Sequence, residues 1–222
     1  MLFFKKGGKN IKKRVGIIAR PLLNEMKKYS FSKSISDIIY RYDALPIGIF
    51  PPNKDINSSL GNKEMNNLFK TIDLCDGIIL QGGLDFYDYD LEAIKYIINK
   101  DIPVLGICLG MQSLACATGG KIDDIENHKD IEKDYVHEVE LNEESKLYKI
   151  LKANKIKVNS RHKEMVVFPG AYQITGKSYD NVIEAIEMPN KKFNIGVQWH
   201  PEDLIDIDEY SQKIFDAFFE LL

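Results

Sequence analysis

Cys108 lies between two glycines in Gly106-Ile107-Cys108-Leu109-Gly110-Met111-Gln112, where an apolar run gives way to a helical pattern. A strand that turns sharply into a helix holds such a thiol out at the bend, and glycines two positions to either side avoid the collision larger residues would make. The helix amino terminus aims free N–H groups and partial positive charge at the sulfur, which favours a nucleophilic thiolate. The Leu109 N–H is free to receive an oxyanion. A second donor is expected from Gly83 in the Gly82-Gly83 turn, at the end of a neighbouring strand.

A thiol that attacks an amide needs a base, which later protonates the leaving amine, and imidazole has a suitable pKa. Gln198-Trp199-His200-Pro201-Glu202 supplies His200, with Pro201 fixing the chain direction and Glu202 placed to hold the ring in one tautomer. Cys75 and Cys116 read as small core residues. Three cysteines make no disulfide framework and lack metal-ligand spacing, so a reducing, cytoplasmic setting fits them. The four histidines show no ligand-pair spacing either; His128 and His137 read as structural, and no metal or other cofactor is expected.

Positioning these groups requires strands whose carboxyl ends meet. Apolar runs at Arg14–Arg20, Ile47–Phe50, Asp76–Gln81 and Pro103–Ile107 alternate with helical patterns at Ser32–Tyr42, Glu64–Phe69, Leu91–Ile98 and Leu109–Thr118. Unbroken apolar strands alternating with helices predict a mostly parallel sheet covered on both faces, with the ligand at the strands' carboxyl ends. Beyond Lys121 the pattern changes. Val136–Leu141, Tyr172–Thr175, Val182–Glu187 and Asn194–Trp199 alternate apolar with polar residues, which predicts half-exposed antiparallel strands. Asp208–Leu222 closes as an amphipathic helix.

The bulk numbers exclude several classes. With 222 residues, 44% hydrophobic and 28% charged, the chain has the profile of a globular α/β protein, expected as one domain over 14–222. The net charge of −3 gives no footprint for nucleic acid. A basic run, Lys5 to Arg14, makes 1–13 a solvated lead-in before the first strand. No stretch reaches the roughly 20 apolar residues of a spanning helix, and Met1-Leu2-Phe3-Phe4 is too short for a signal-peptide core, so no membrane partner is expected.

The Gly106–Gln112 and His200–Glu202 motifs resemble the G-x-C-x-G-x-Q and H-P-E motifs of the class I glutamine amidotransferase-like superfamily. Asp76–Asp85, Val158–His162 and Ile183–Glu187 look most like its γ-glutamyl-γ-aminobutyrate hydrolase branch. The resemblance runs from Val15 to the carboxyl terminus. It implies a flavodoxin-like three-layer α/β sandwich and a Cys-His-Glu triad of Cys108, His200 and Glu202. It also implies a small-molecule γ-glutamyl substrate lodged near Gln112, Ser160, Arg161 and His162. Two departures bear on the leaving group: Phe86–Asp90 runs quickly into a helix, and Arg161 with Lys163 makes the 159–164 loop more basic than the family pattern.

The leading expectation is a stand-alone hydrolase that cleaves γ-glutamyl amides through a γ-glutamyl thioester, releasing glutamate and an amine. The Asn159–His162 segment and the lack of a fused synthase domain in this sequence favour it. The alternative is a glutaminase subunit that passes ammonia to a partner synthase; both attack the same carbonyl. A silent scaffold is the third reading, opposed by the presence of all three triad residues. Self-association as a homodimer stays open.

Overall fold

The computed structural model describes residues 12–22, 25–53 and 55–222, without the side chains of 25–27. Of the basic lead-in, only Lys12 and Lys13 fall within the described residues. β1 (Arg14–Ile18) leads into a hairpin of β2 (Arg20–Leu22) and β3 (Glu25–Ser30). There follow α1 (Lys33–Arg41), β4 (Leu45–Ile49), α2 (Asn62–Ile72), β5 (Gly77–Leu80), α3 (Asp88–Lys100), β6 (Val104–Ile107) and α4 (Leu109–Ala117). The second half comprises β7 (Lys121–Asp124), β8 (His137–Leu141), α5 (Lys146–Leu151), β9 (Lys155–Val158), β10 (Glu164–Phe168), β11 (Gln173–Ser178), β12 (Ile183–Glu187) and β13 (Asn194–Val197). A 3-10 turn, Pro201–Asp203, and α6 (Glu209–Glu220) complete it.

Among the described residues, eleven strands form one sheet, ordered β4-β1-β5-β6-β13-β12-β11-β8-β9, with β10 joining β12 to β7. The strands from β4 to β13 along this order are parallel, and the pairings beyond β13 are antiparallel. This is the expected flavodoxin-like three-layer arrangement with an antiparallel extension. Neighbouring residues of one strand serve opposite layers, as the pleat requires. Ile79, Leu105 and Ile107 pack with Ile35 and Ile39 of α1 and Phe215 and Phe218 of α6. Ile78, Leu80 and Val104 pack with Leu68, Ile94, Ile97, Met111 and Leu114 on the other side. Each such buried Ile or Leu stabilises the fold by about 1.5–3 kcal/mol relative to exposure.

Two differences from the sequence patterns have physical causes. Pro21, which directly follows the first apolar run and would ordinarily end a strand there, instead lies within β2 opposite Tyr29 of β3; the edge position asks no ladder bond of it. More consequentially, Val182–Glu187 predicts a half-exposed strand, yet every residue of β12 is buried. Its polar residues have interior partners. Glu187 accepts the Lys146 N–H at 2.9 and 3.0 Å and the Leu147 N–H at 3.2 Å, at the start of α5. Glu184, with no exposed surface, lies among three histidines.

Candidate active site

Parallel pairing of β5, β6 and β13 brings three strand ends side by side, with Leu80 opposite Gly106 and Ile107 opposite Val197. The Gly82-Gly83 turn, Cys108 and the chain approaching His200 therefore emerge next to one another. Cys108 has φ +53° and ψ −108°, a positive-φ conformation that costs a non-glycine residue of order 1–3 kcal/mol. The surroundings enforce it. A Cβ on Gly110 would fall 2.1 Å from the Leu80 carbonyl oxygen, and one on Gly106 would fall 2.8 Å from the Gly110 carbonyl. The Cys108 N–H donates to Val197 O at 2.8 Å, fastening the bend to β13. Leu109 opens α4, so its N–H has no acceptor within the helix.

His200 Nδ1 donates to Glu202 Oε1 at 2.8 Å, across the first residues of the 3-10 turn. Cys108 is the other group next to the ring, and with Glu202 it raises the imidazole pKa. A Cβ on Gly82 would lie 2.9 Å from His200 Cε1 and 3.7 Å from Cys108 Cβ, a measure of how closely these three residues pack. Burial alone pulls the imidazole pKa down. The Glu202 charge and hydrogen bond and the adjacent Cys108 outweigh it and push the pKa up to about 11. The local arrangement holds the imidazolium between the Glu202 carboxylate and Cys108.

A cavity of about 260 Å³ opens over Cys108, lined by Gly83, Leu84, Gln112, Lys129, Arg161 and His162 among others. A trough of about 460 Å³ shares Gly83 and Leu84 with it and runs past Arg20, Phe31 and Tyr87. Not every residue expected at the substrate borders this space. Ser160 is fully buried outside the cavity lining, and its carbonyl accepts the Asp130 N–H at 3.1 Å. Gln112 lines the cavity but is buried and tied down, donating to Glu164 O at 3.0 Å and Gln198 Oε1 at 3.3 Å. Arg161 reaches the rim with its guanidinium engaged, 2.8 Å from Asp203 and donating to Ile131 O at 2.9 Å. Within Phe86–Asp90, Tyr87 lines the trough, whereas Tyr89 and Asp90 turn inward.

Two positioning devices were assigned no such role from the sequence. Asn159 brackets the His200 peptide, donating to its carbonyl and accepting its N–H. Arg20 and Asp90 form a buried ion pair at 2.5 Å, and the Arg20 stem packs against Gly83, bracing the expected oxyanion turn. Both pairs join residues far apart in the chain, so only the sheet order reveals them. Among the described residues no helix is long and apolar enough to cross a membrane.

The family model for Peptidase C26 matches residues 87–202, which includes Cys108, His200 and Glu202. The chain is 31% identical over 150 residues to a subunit of the glutamine-hydrolyzing GMP synthase of Methanothrix thermoacetophila, covering 67% of this chain and 77% of that protein. The corresponding subunit of Methanococcus aeolicus is 32% identical over 164 residues, covering 73% and 78%. In fold, the glutaminase domain of Trypanosoma brucei CTPS with bound acivicin superposes with a TM-score of 0.70 at 17% identity, covering 94% of both chains. With its cysteine at a strand-to-helix bend and its histidine and glutamate at the adjoining strand end, the chain belongs to the Peptidase C26 family of the class I glutamine amidotransferase-like superfamily.

Proposed function

We propose that the chain is a cysteine amidohydrolase acting on the γ-carboxamide of glutamine, as the glutaminase component of a glutamine-dependent synthase. The observation that carries this is the strained Cys108 elbow packed beside His200, whose ring Glu202 holds. Cys108 Sγ attacks the amide carbon, and the developing oxyanion takes the Leu109 and Gly83 N–H groups. The C–N bond breaks as His200 gives its proton to the nitrogen, which leaves as ammonia. Water, deprotonated by His200, then cleaves the γ-glutamyl thioester and returns the thiol with glutamate. Likeness to proteins named as components of a glutamine-hydrolyzing GMP synthase supports glutamine over larger amides, which reverses the order of preference drawn from the motifs.

The second reading, a stand-alone hydrolase of larger γ-glutamyl amides, is favoured by one feature. Lys129, Arg161 and Lys163 line the cavity and would attract an amine that carries a carboxylate. The test is glutamate release from glutamine and from a panel of γ-glutamyl amides, with and without an added synthase partner, beside acivicin labelling followed by peptide mass spectrometry. Expected are an acivicin adduct on Cys108 and glutamine cleavage that rises when a synthase partner is added. Rapid, partner-independent cleavage of carboxylate-bearing amides, reduced several-fold by Arg161→Ala at low salt, would establish the second reading instead. No adduct and no turnover on any substrate would sink both.

A further inference from the structure

Three of the four histidines meet at one buried carboxylate, although they come from separate segments. His128 Nε2 lies 3.0 Å from Glu184 Oε1, His137 Nε2 lies 3.5 Å from it, and His162 Nε2 lies 3.6 Å from it. Ligand atoms of His128, His137 and Glu184 all fall within 4.8 Å of one another. Protein groups alone leave this cluster badly satisfied. Both ring nitrogens of His137, Nε2 of His162 and Oε2 of Glu184 have no hydrogen-bond partner, though all are shielded from solvent. A buried polar atom is ordinarily paired, so four such atoms within one cluster, with His137 Nε2 and His162 Nε2 both beside Glu184, need an explanation.

Two outer hydrogen bonds supply the direction. His128 Nδ1 donates to Asp180 Oδ2 at 2.9 Å, and Ser178 in turn donates to the Asp180 carboxylate. His162 Nδ1 donates to the Glu164 carbonyl at 2.8 Å. The His162 bond places its ring proton on Nδ1 and leaves Nε2 to face Glu184, whereas His128, between two carboxylates, donates from both nitrogens until a metal takes the place of its Nε2 proton. A carboxylate or carbonyl behind an inward-facing imidazole is the usual outer shell of a histidine-ligated metal. Bonds of about 2.0–2.2 Å at tetrahedral angles set donor atoms about 3.3–3.6 Å apart, a spacing that the 3.5 and 3.6 Å contacts of His137 and His162 with Glu184 Oε1 match and that the hydrogen-bonded His128, at 3.0 Å, reaches by a small outward shift.

We infer that His128, His137 and Glu184, whose ligand atoms converge, form the core of a site for a divalent transition metal, with His162, 3.6 Å from the same carboxylate oxygen, closing in as the fourth ligand and Zn²⁺ the best match to this imidazole and carboxylate set. The site is structural. All four ligands are buried and supplied by the protein, which leaves no position open for a substrate. The metal fastens the 159–164 segment to β12 and to the start of β8. That segment carries Asn159, which holds His200, and Arg161 and Lys163 at the cavity rim.

The test uses the full chain and its Cys108→Ala variant, which removes the active-site thiol as a competing ligand. Each is loaded with Zn²⁺ or Co²⁺, desalted and analysed by elemental mass spectrometry, visible absorption and thermal unfolding. The expected result is about one metal per chain in both proteins, with the intense visible bands of four-coordinate Co²⁺. Zn²⁺ should raise Tm, and a chelator should reverse the rise. His137→Gln should lose metal and the Zn²⁺-dependent Tm shift together, since neither ring nitrogen has a hydrogen bond to lose. Should His137→Gln fail to fold, the Cys108→Ala measurements decide alone. Metal content well below stoichiometric in Cys108→Ala, a weak six-coordinate Co²⁺ spectrum, or a Tm indifferent to Zn²⁺ and chelator would overturn the site. So would a folded His137→Gln that keeps its metal. These readouts do not depend on which amide the enzyme cleaves.

Discussion

Asn159 holds the His200 peptide from both sides, donating from Nδ2 to the His200 carbonyl at 2.9 Å and accepting the His200 N–H on Oδ1 at 2.8 Å. Each group of His200's own backbone is thus satisfied by one side chain, 41 residues away. Asn159→Ala should lower kcat by about 10- to 100-fold through displacement of the imidazole. Losing two partly buried hydrogen bonds should also reduce stability by about 1–3 kcal/mol. Steady-state kinetics beside urea unfolding separates the two effects. Wild-type kcat in a destabilised Asn159→Ala protein would show that His200 needs no such support.

Cys108 alone should be the working thiol. Burial pushes Cys75 up to about 11 and raises Cys116, which leaves both as thiols at neutral pH. Iodoacetamide at about pH 7.5 should label Cys108 first, and Cys108→Ala should abolish turnover while Cys75→Ala and Cys116→Ala retain it. Because Cys108 has φ +53°, Cys108→Gly should be more stable than Cys108→Ala by about 1 kcal/mol. Equal stability of the two variants in urea melts would mean the bend is not strained.

His200 should stay protonated across the neutral range. With its folded pKa raised to about 11, its contribution to stability is complete below about 6.5, the unfolded value. It declines as pH rises and is lost through about 11. The His200 ring resonances should therefore not titrate between about pH 6 and 9 in NMR spectra. In Glu202→Gln the amide still orients the ring but removes the charge, so titration should move down towards the ordinary histidine range. The loss of stability above about pH 6.5 should be shallower in that variant. A His200 titration near 6.5 in the wild type would contradict the imidazolium assignment.

Gly110 should tolerate no side chain. Its added Cβ would meet the Leu80 carbonyl at 2.1 Å, in the middle of a parallel sheet where backbone has little room to retreat. Gly110→Ala should cost more than about 3 kcal/mol or prevent folding, seen as a collapsed urea midpoint. A change below about 0.5 kcal/mol would mean that the helix can move away from β5 at little cost.

The amino-acid order by itself determined whatever depends on contacts a few residues apart. The Cys108 bend is such a case, since apolar strand, glycine, cysteine, glycine and helix all lie within one short stretch. The His200–Glu202 bond spans two residues, and chain connectivity delivers it. The alternation of apolar runs with helical faces likewise fixed the parallel layer of the sandwich. Tertiary structure decided what depends on which strands become neighbours. Ser160 reads as a substrate residue from its motif, yet pairing places it inside the protein. The polar alternation in β12 reads as a solvent face until the start of α5, at Glu187, and three histidines, at Glu184, cover it. His128, His137, His162 and Glu184 show no spacing that links them, because loop and strand closure over dozens of residues brings their ring nitrogens to one carboxylate oxygen. Local geometry is encoded by adjacent residues, whereas a site drawn from distant segments exists only once the sheet has chosen its order.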